Sequence, residues 1–267
     1  MDQTLIAVIV GIVEGLTEFL PISSTGHMII VGHLLGFEGP LANVFDVFIQ
    51  LGAILSVVFL YRKQFAHFFT KAGWQIDKGL SVWHVAVGIV PVMGIAFFAH
   101  RLIKTYLFSP FTVAIGLVAG AFLMMAAEKL TVHKQDFLQD DVDKITLRQA
   151  TYVGIFQVLS LWPGFSRSGS TISGGLMLGL TRKAAAEYSF IIAVPLMFVA
   201  CIYDLMKNLA YLNADAIYML AVGFAVSFVV AYGSILWFIG FLNRSSLTSF
   251  AYYRIILATV TVWYFYL

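Results

Sequence analysis

The chain has 267 residues, of which 60% are hydrophobic and only 11% are charged, and its mean hydropathy is +0.90. Soluble domains carry about 25% charged residues, so this chain cannot cover itself with a polar surface in water, and we interpret it as an integral membrane protein. The formal charge of +2 at pH 7 comes without a basic stripe or a nucleic-acid-binding motif, which argues against a nucleic-acid partner.

The first apolar region, residues 4–36, is interrupted by the polar stretch EGLTEFLPISSTGH, which runs from Glu14 to His27. Two short apolar arms around a loop with proline, serine and glycine predict a re-entrant helix–loop–helix. Non-helical backbone is tolerated at membrane depth only where protein or a water-filled cavity satisfies its hydrogen bonds. We therefore expect this loop to face the interior of the protein.

A second region of the same kind occurs later in the chain. Residues 150–180 are apolar but are interrupted by PGFSRSGST, from Pro163 to Thr171. Uninterrupted apolar segments with the length of a membrane-crossing helix follow each broken region, three after each. They cover residues 44–61, 83–99, 111–127, 187–206, 217–241 and 250–267. Residues 129–149 lie between the halves and contain the acidic run DFLQDDVDK, which predicts a solvated linker.

The two halves of the chain resemble each other. The stretch GIVEGLTEFLPISSTGH aligns with GIFQVLSLWPGFSRSGS and, after a one-residue gap, this alignment pairs Ser24 with Ser166. We interpret the similarity as an internal duplication, with repeat one at residues 1–128 and repeat two at residues 150–267. Because each half has an odd number of spans, the second half begins on the opposite side of the membrane. The predicted fold is an all-α integral membrane protein with an inverted-topology repeat, each half being one re-entrant helix–loop–helix plus three transmembrane helices.

The distribution of basic residues predicts the orientation of this topology. The loops on one side hold eleven of the sixteen Lys and Arg residues, and the loops on the other side hold three. Because cytoplasmic loops are enriched in Lys and Arg, the first side is expected to be cytoplasmic and both termini are expected to face outward.

The tips of two inverted hairpins are expected to meet near the middle of the membrane and to form one site. The polar residues of the two loops are Glu14, Glu18, Ser23, Ser24, Thr25 and His27 in the first and Ser166, Arg167, Ser168, Ser170 and Thr171 in the second. An arginine, several hydroxyls and the backbone N–H groups at helix starts suit an anion, phosphate in particular. Arg254, in the last span, either extends to the membrane interface or reaches this anion site, and we predict the second.

Four residues of the first loop have the chemical types that catalysis requires. Glu14 and Glu18 are four residues apart on one helical face, so they repel unless the pair shares a proton or binds a divalent cation such as Mg²⁺ or Ca²⁺. His27 follows Ser24 by three residues, within reach of a general-base role that would activate the hydroxyl as a nucleophile. A structural interpretation is also open, in which Arg167 only neutralises a carboxylate and the hydroxyls only bond backbone carbonyls.

These features leave two classes of function open. One is a phosphatase or phosphotransferase acting on a lipid-borne phosphate, which is favoured by a nucleophile beside a base and an arginine. The other is a transporter or flippase that binds an anion at the midplane without breaking it, which is favoured by the architecture. No Walker A loop, dinucleotide-binding fingerprint or haem motif occurs, so neither nucleotide hydrolysis nor redox chemistry is indicated.

The two motifs, EGLTEFLPISSTGH and PGFSRSGSTISGG, resemble those of the bacterial undecaprenyl-pyrophosphate phosphatase family, also known through bacitracin resistance. The resemblance covers the whole chain in length, order of segments and both motifs. It implies hydrolysis of undecaprenyl pyrophosphate to the monophosphate and inorganic phosphate, which recycles the carrier lipid for peptidoglycan and related envelope polymers. It also implies inverted repeats with re-entrant hairpins in the bacterial cytoplasmic membrane, with hydrolysis at the outer, periplasmic face.

The resemblance further implies a role for each motif residue. Ser24 is similar to the family's proposed nucleophile, with His27 beside it as base or acid. Glu14 and Glu18 are similar to the acidic pair that supports catalysis or a divalent cation. The residues expected to bind the pyrophosphate are Arg167, Ser166, Ser168, Thr171, Ser23, Thr25 and Arg254. Direct attack by water, assisted by Glu18 or His27, is the alternative to a covalent intermediate.

The expected partners are the lipid pyrophosphate substrate and the surrounding membrane lipids. Gly116 and Gly120 form a small-xxx-small pattern that permits close helix packing either within one chain or between chains. The sequence therefore leaves a homo-oligomer open.

Overall fold

The computed structural model describes residues 2–131, 138–208 and 214–266, and residues 132–137 of the predicted linker lie outside the described residues. The described residues form α-helices and short 3₁₀ turns, with a single isolated β-bridge between Gln139 and Leu180. The helices are α1 Gln3–Thr17, α2 Ser24–Leu35, α3 Pro40–Leu60, α4 Arg62–Phe68, α5 Val82–Tyr106, α6 Pro110–Thr131, α7 Leu147–Gln157, α8 Arg167–Met177, α9 Arg182–Lys207, α10 Ala214–Leu242 and α11 Thr248–Tyr266. The prediction of an all-α membrane protein is confirmed.

Within the described residues, five helices are long and apolar enough to cross a membrane. They are α3, residues 82–99 of α5, α6, α9 and residues 216–242 of α10. The sixth predicted span, 250–267, is occupied by α11, which is helical over 19 residues but is not among these five. Its sequence carries Arg254 and five Tyr or Trp residues, which lower its hydropathy.

Both interrupted regions fold as two short helices around an irregular loop. The first loop covers residues 18–23, between α1 and α2. The second covers residues 158–166, between α7 and α8, and begins with a 3₁₀ turn over Val158–Leu161. Each half of the chain therefore contains one helix–loop–helix followed by three longer helices.

Each helix–loop–helix is attached to a long helix from the other half through glycines. A Cβ atom on Gly11 of α1 would lie 2.9 Å from the carbonyl oxygen of Gly223 in α10. A Cβ atom on Gly154 of α7 would lie 2.6 Å from the carbonyl oxygen of Gly88 in α5. Because only glycine permits such close backbone approach, these positions fix how each hairpin is seated in the bundle.

The first loop is anchored by its own apolar residues, which belong to the main core. Phe19, Leu20 and Ile22 are buried together with side chains of α8, α9 and α10. Phe19 is fully buried and its ring meets the ring of Phe190 edge to face, with 5.3 Å between the centroids. This burial holds the loop rigidly, and with it the polar residues Glu18 and Ser24 on either side.

Candidate active site

The two loops face a common cavity with a volume of about 170 Å³. Its walls come from both loops, from α3 and from α9. The lining residues are Glu18, Ser23, Ser24, Thr25, Gln50, Ser160, Trp162, Pro163, Gly164, Ser166, Arg167 and Met197. The structure therefore brings the two sequence motifs together, as the predicted meeting of the hairpin tips requires.

The two loops share an unusual backbone conformation where each second helix begins. Ser23 has φ 69° and Ser166 has φ 73°, and these are the non-glycine residues with positive φ in the described chain. Each serine caps its helix, since Ser23 Oγ accepts from Gly26 N at 3.4 Å and Ser166 Oγ accepts from Gly169 N at 3.1 Å. Such strained positions cost about 1–3 kcal/mol and persist where the surrounding structure enforces them.

The shared capping geometry pairs different residues of the two loops from those that the sequence alignment pairs. The sequence comparison introduces a gap and pairs Ser24 with Ser166, whereas the capping geometry pairs Ser23 with Ser166. Without the gap, Ser24 corresponds to Arg167, and each is the first residue of its helix. The Ser24 hydroxyl and the Arg167 guanidinium therefore belong to the first residues of two helices and line the same cavity.

The starts of α2 and α8 both line the cavity, and both favour a bound anion. The first N–H groups of a helix have no partner within the helix, and the helix dipole places partial positive charge there. Ser24 and Thr25 of α2 and Arg167 of α8 lie at these starts. Two helix starts and one guanidinium converging on one space suit a phosphate group.

A continuous chain of hydrogen bonds crosses this cavity wall. The Ser24 hydroxyl donates to Glu18 Oε2 at 2.6 Å. The other carboxylate oxygen, Glu18 Oε1, accepts from Arg167 Nη2 at 3.1 Å. The side chains of Glu18 and Arg167 are only 8% and 11% exposed. A nearly buried carboxylate thus contacts both the proposed nucleophile and the proposed phosphate-binding residue.

His27 does not occupy the position predicted for it, that of a base in contact with Ser24. Its Nδ1 lies 2.8 Å from the carbonyl oxygen of Ser23, which can only accept, so Nδ1 carries the proton and donates. Its Nε2 then accepts from the Tyr253 hydroxyl at 2.7 Å, and the two rings stack at an interplanar angle of 5°. Neither ring nitrogen bonds Ser24. In this arrangement the group that accepts the hydrogen bond of the Ser24 hydroxyl is the carboxylate of Glu18.

Glu14 lies one helical turn before Glu18, at the end of α1. It is fully buried and does not line the cavity, its carboxyl neighbours that of Glu18, and neither of its oxygens accepts a hydrogen bond from a donor group among the described residues. Unpaired buried carboxylate oxygens are costly, so they call for a proton or a cation. The predicted pairing of Glu14 and Glu18 on one helical face is retained, because the Glu18 N–H still bonds the Glu14 carbonyl at 2.9 Å.

Not all of the hydroxyls predicted to bind substrate line the cavity. Ser23, Thr25 and Ser166 do. Ser168 is buried and donates to the Leu20 carbonyl at 2.8 Å, which ties the second loop to the first. Thr171 is also fully buried. The structure thus places Ser168 and Thr171 behind the cavity wall, where Ser168 joins the two loops and the Thr171 hydroxyl bonds the Arg167 carbonyl and Ser189 of α9.

Arg254 is likewise placed behind the loops and not at the cavity. Its side chain is fully buried, and Nη2 donates to the carbonyls of Gly116, Gly164 and Phe165 at 3.2, 3.0 and 2.7 Å. Nη1 lies 3.5 Å from the carbonyl of Pro21 in the first loop. The prediction that Arg254 binds substrate is therefore not matched by its position, because backbone carbonyls of both loops already surround the guanidinium.

The glycines of the small-residue pattern in α6 pack against another segment of the same chain. A Cβ atom on Gly116 would lie 2.5 Å from the Pro163 carbonyl oxygen, and one on Gly120 would lie 2.6 Å from the Phe165 carbonyl oxygen. The two glycines therefore let the second loop lie directly on α6. Of the two alternatives for this pattern, the structure displays packing within one chain.

Several residues at or beside the site were not singled out from the sequence. Gln50, Ser160, Trp162 and Met197 line the cavity. Tyr253 bonds His27, and Ser189 bonds Arg167. The available signal is polarity inside a predicted span, and it applies to Gln50, whose amide lies within the apolar segment 44–61.

Comparisons with known proteins agree with this geometry. A sequence model of the family described as "Bacitracin resistance protein BacA" matches residues 7–260. The chain is 51% identical to "Undecaprenyl-diphosphatase 1" of Bacillus thuringiensis (strain Al Hakam) and 50% identical to the protein of that name in Bacillus anthracis. Each similarity extends over 259 residues and covers 97% of both chains. The resemblance drawn from the two motifs is confirmed, and the chain belongs to the bacitracin resistance protein BacA family.

Proposed function

We propose that the protein hydrolyses undecaprenyl pyrophosphate to undecaprenyl phosphate and inorganic phosphate, which returns the carrier lipid to cell-wall synthesis. The observation that carries this proposal is the contact chain Ser24–Glu18–Arg167 in the cavity between two helix starts. A nucleophile, a proton acceptor and a phosphate-binding group are thereby within hydrogen-bond reach of one another. The relatives named undecaprenyl-diphosphatase, at about half identity over nearly the whole chain, support the same substrate.

The geometry supports a role for each group in the reaction. Arg167 and the starts of α2 and α8 bind the terminal phosphate and stabilise the charge that develops on it. Ser24 Oγ attacks the terminal phosphorus while its proton passes to Glu18 Oε2. A bond forms between Ser24 Oγ and phosphorus, the phosphoanhydride bond breaks, and undecaprenyl phosphate leaves. Water then hydrolyses the phosphoserine, which restores Ser24 and releases inorganic phosphate.

A divalent cation, Mg²⁺ or Ca²⁺, fits the carboxylates of this site. Glu14 offers two buried oxygens that lack hydrogen-bond partners in the described chain, and Glu18 lies one turn away. No group of three or more His, Cys, Asp and Glu side chains that could hold a metal is found among the described residues. Mg²⁺ is often held by one or two carboxylates together with substrate phosphates, so Glu18, which lines the cavity, would hold the cation beside the pyrophosphate, and the buried Glu14 would supply a second carboxylate from behind the cavity wall. The cation would neutralise the diphosphate.

The inverted repeat is part of the proposal. It is supported by the matching order of helices in the two halves and by the equivalent strained caps at Ser23 and Ser166. It is also supported by reciprocal packing, because α1 of the first half crosses α10 of the second, and α7 of the second crosses α5 of the first. Three spans in each half would place the two hairpins in opposite orientations, with their loops at one depth.

We further propose a location in the bacterial cytoplasmic membrane, with both termini outside and the site open to the periplasmic side. The excess of Lys and Arg on one side of the topology supports this orientation. The lipid tail would then lie among the apolar, membrane-facing side chains while the pyrophosphate enters the polar cavity.

Phosphate release by the purified protein in detergent tests the function. The substrates are undecaprenyl pyrophosphate and farnesyl pyrophosphate, each measured with Mg²⁺ and with EDTA, and undecaprenyl phosphate serves as the control substrate. We expect release from the two pyrophosphates only, and loss of release in Arg167→Ala. Binding of lipid pyrophosphate without phosphate release under any divalent cation would instead identify a transport site, and the hydrolase proposal would be withdrawn.

A further inference from the structure

Ser189 lies on α9 and is fully buried, and no motif points to it. Both its carbonyl oxygen and its hydroxyl oxygen lie 3.2 Å from Arg167 Nη1. Its hydroxyl oxygen is also 2.6 Å from Thr171 Oγ1, and Thr171 Oγ1 is 2.8 Å from the carbonyl oxygen of Arg167. Three residues from two helices thus form one small polar cluster behind the cavity wall.

The direction of each hydrogen bond in this cluster follows from donor and acceptor chemistry. A guanidinium only donates, so the Ser189 hydroxyl oxygen accepts from Arg167. A carbonyl only accepts, so the Thr171 hydroxyl donates to the backbone of Arg167. The Ser189 hydroxyl therefore donates to Thr171 Oγ1. The result is a closed ring of hydrogen bonds that starts at the side chain of Arg167 and ends at its own backbone.

The ring matters most when substrate is bound. The guanidinium donates to Glu18 from Nη2 and to Ser189 from Nη1 and lies over the Phe19 ring, 5.4 Å from its centroid, while the buried Nε has no hydrogen-bond partner among the described residues. A phosphate that enters the cavity competes with Glu18 for Nη2, because it is an anion on the same side. Ser189 is fully buried and does not line the cavity, so the phosphate does not displace it. Its hydrogen bonds to Nη1 remain and fix the orientation of the guanidinium over the Phe19 ring.

We propose that Ser189 is a positioning residue, which holds Arg167 in its phosphate-binding orientation through a hydrogen-bond ring completed by Thr171. This inference rests on the proposed function, because the effect is read through hydrolysis of a lipid pyrophosphate. It deepens that function by explaining why α9, which carries neither motif, contributes to the site.

Ser189→Ala removes the ring and leaves the backbone acceptor in place. Hydrogen bonds to charged groups contribute enough that we expect kcat/KM for undecaprenyl pyrophosphate to fall on the order of 10- to 100-fold. The matched control is Ser56→Ala, because Ser56 is also fully buried in a long helix but its hydroxyl bonds only Ala53 of the same helix, at 2.6 Å. We expect the control to stay within about twofold of the wild type.

A double-mutant cycle separates positioning from a general structural role. In an Arg167→Lys background the guanidinium is absent and there is no ring to break, so Ser189→Ala should change kcat/KM by about twofold or less. An equal loss in both backgrounds would overturn the proposal, because Ser189 would then act independently of Arg167.

The pair Thr171→Val and Thr171→Ser keeps the test decisive if Ser189→Ala does not fold. Both variants can be compared by melting temperature, but only Thr171→Ser retains the hydroxyl that closes the ring. We expect Thr171→Ser to retain activity and Thr171→Val to lose it as Ser189→Ala does. Equal activities for these two variants would overturn the inference. An inactive wild type would instead count against the proposed function itself.

Discussion

The hydroxyl of Ser24 donates to a carboxylate oxygen of Glu18 over 2.6 Å, and the other oxygen of that carboxylate accepts from Arg167. This contact makes Glu18 the acceptor for the proton of the proposed nucleophile, although His27 lies nearer in sequence. His27 is engaged by Ser23 and Tyr253 and is held in the tautomer that presents no free acceptor to Ser24. The contact therefore favours Glu18 over His27 as the base that accepts the Ser24 proton.

Glu18→Gln should be more damaging than His27→Gln. Glutamine preserves the size of Glu18 but cannot take the Ser24 proton, so kcat should fall on the order of 10²- to 10⁴-fold. His27→Gln should reduce kcat less, because the His27 ring bonds the Ser23 carbonyl and the Tyr253 hydroxyl and does not bond Ser24. Steady-state hydrolysis at saturating substrate measures kcat for both variants. The reverse order of effects would restore His27 as the base.

The fold was accessible from the sequence at the level of helices. Apolar runs of membrane-spanning length located the long helices, and proline, glycine and serine clusters located the two loops. Residue types alone favour a gap in the alignment of the two loops, because both contain a proline, whereas the equivalent caps at Ser23 and Ser166 align the loops without a gap. Strained caps at Ser23 and Ser166 are conformations, and a one-dimensional comparison of residue types contains no signal for them.

The charged residues of the site could be predicted from the sequence, but the residues that hold them in place through hydrogen bonds could not. An ionisable residue in an apolar segment is expensive, so Glu18 and Arg167 stand out. Arg254 stood out for the same reason, but burial cost alone does not say whether the charge meets substrate or backbone carbonyls. Ser189 and Tyr253 carry hydroxyls that membrane helices tolerate, so only three-dimensional contacts distinguish them.

Gly116→Ala should impair catalysis by displacing the second loop. The added Cβ would lie 2.5 Å from the Pro163 carbonyl oxygen, where ordinary contact begins at 3.4 Å, so the loop must shift by about 1 Å. A misplacement of that size costs on the order of 10²-fold in rate. Gly233→Ala is the matched control, because nothing lies within 4 Å of its Cβ position. Wild-type kcat/KM in Gly116→Ala would show that the loop yields without consequence.

Arg254→Met should act on stability, because the guanidinium joins both loops to α6. Loss of the donors leaves buried carbonyls such as those of Gly164 and Phe165 unsatisfied, at about 1–3 kcal/mol for each. We expect a lower melting temperature in detergent. Arg244→Met, at an exposed arginine, should leave it unchanged. A variant of Arg254 that melts like the wild type and only raises KM would return this residue to substrate binding.

Removal of divalent cations should abolish phosphate release, and Glu14 should determine how much cation is needed to restore it. The two buried oxygens of Glu14 accept no hydrogen bond from a donor group in the described chain and neighbour Glu18, so a cation that Glu14 shares with Glu18 would satisfy them. Glu14→Gln replaces one anionic ligand by a neutral one, so the Mg²⁺ concentration for half-maximal activity should rise about tenfold or more. Titration of Mg²⁺ into EDTA-treated wild type and variant measures this shift. Identical Mg²⁺ curves would mean that Glu14 is held protonated beside Glu18, and activity resistant to EDTA in the wild type would remove the cation from the mechanism.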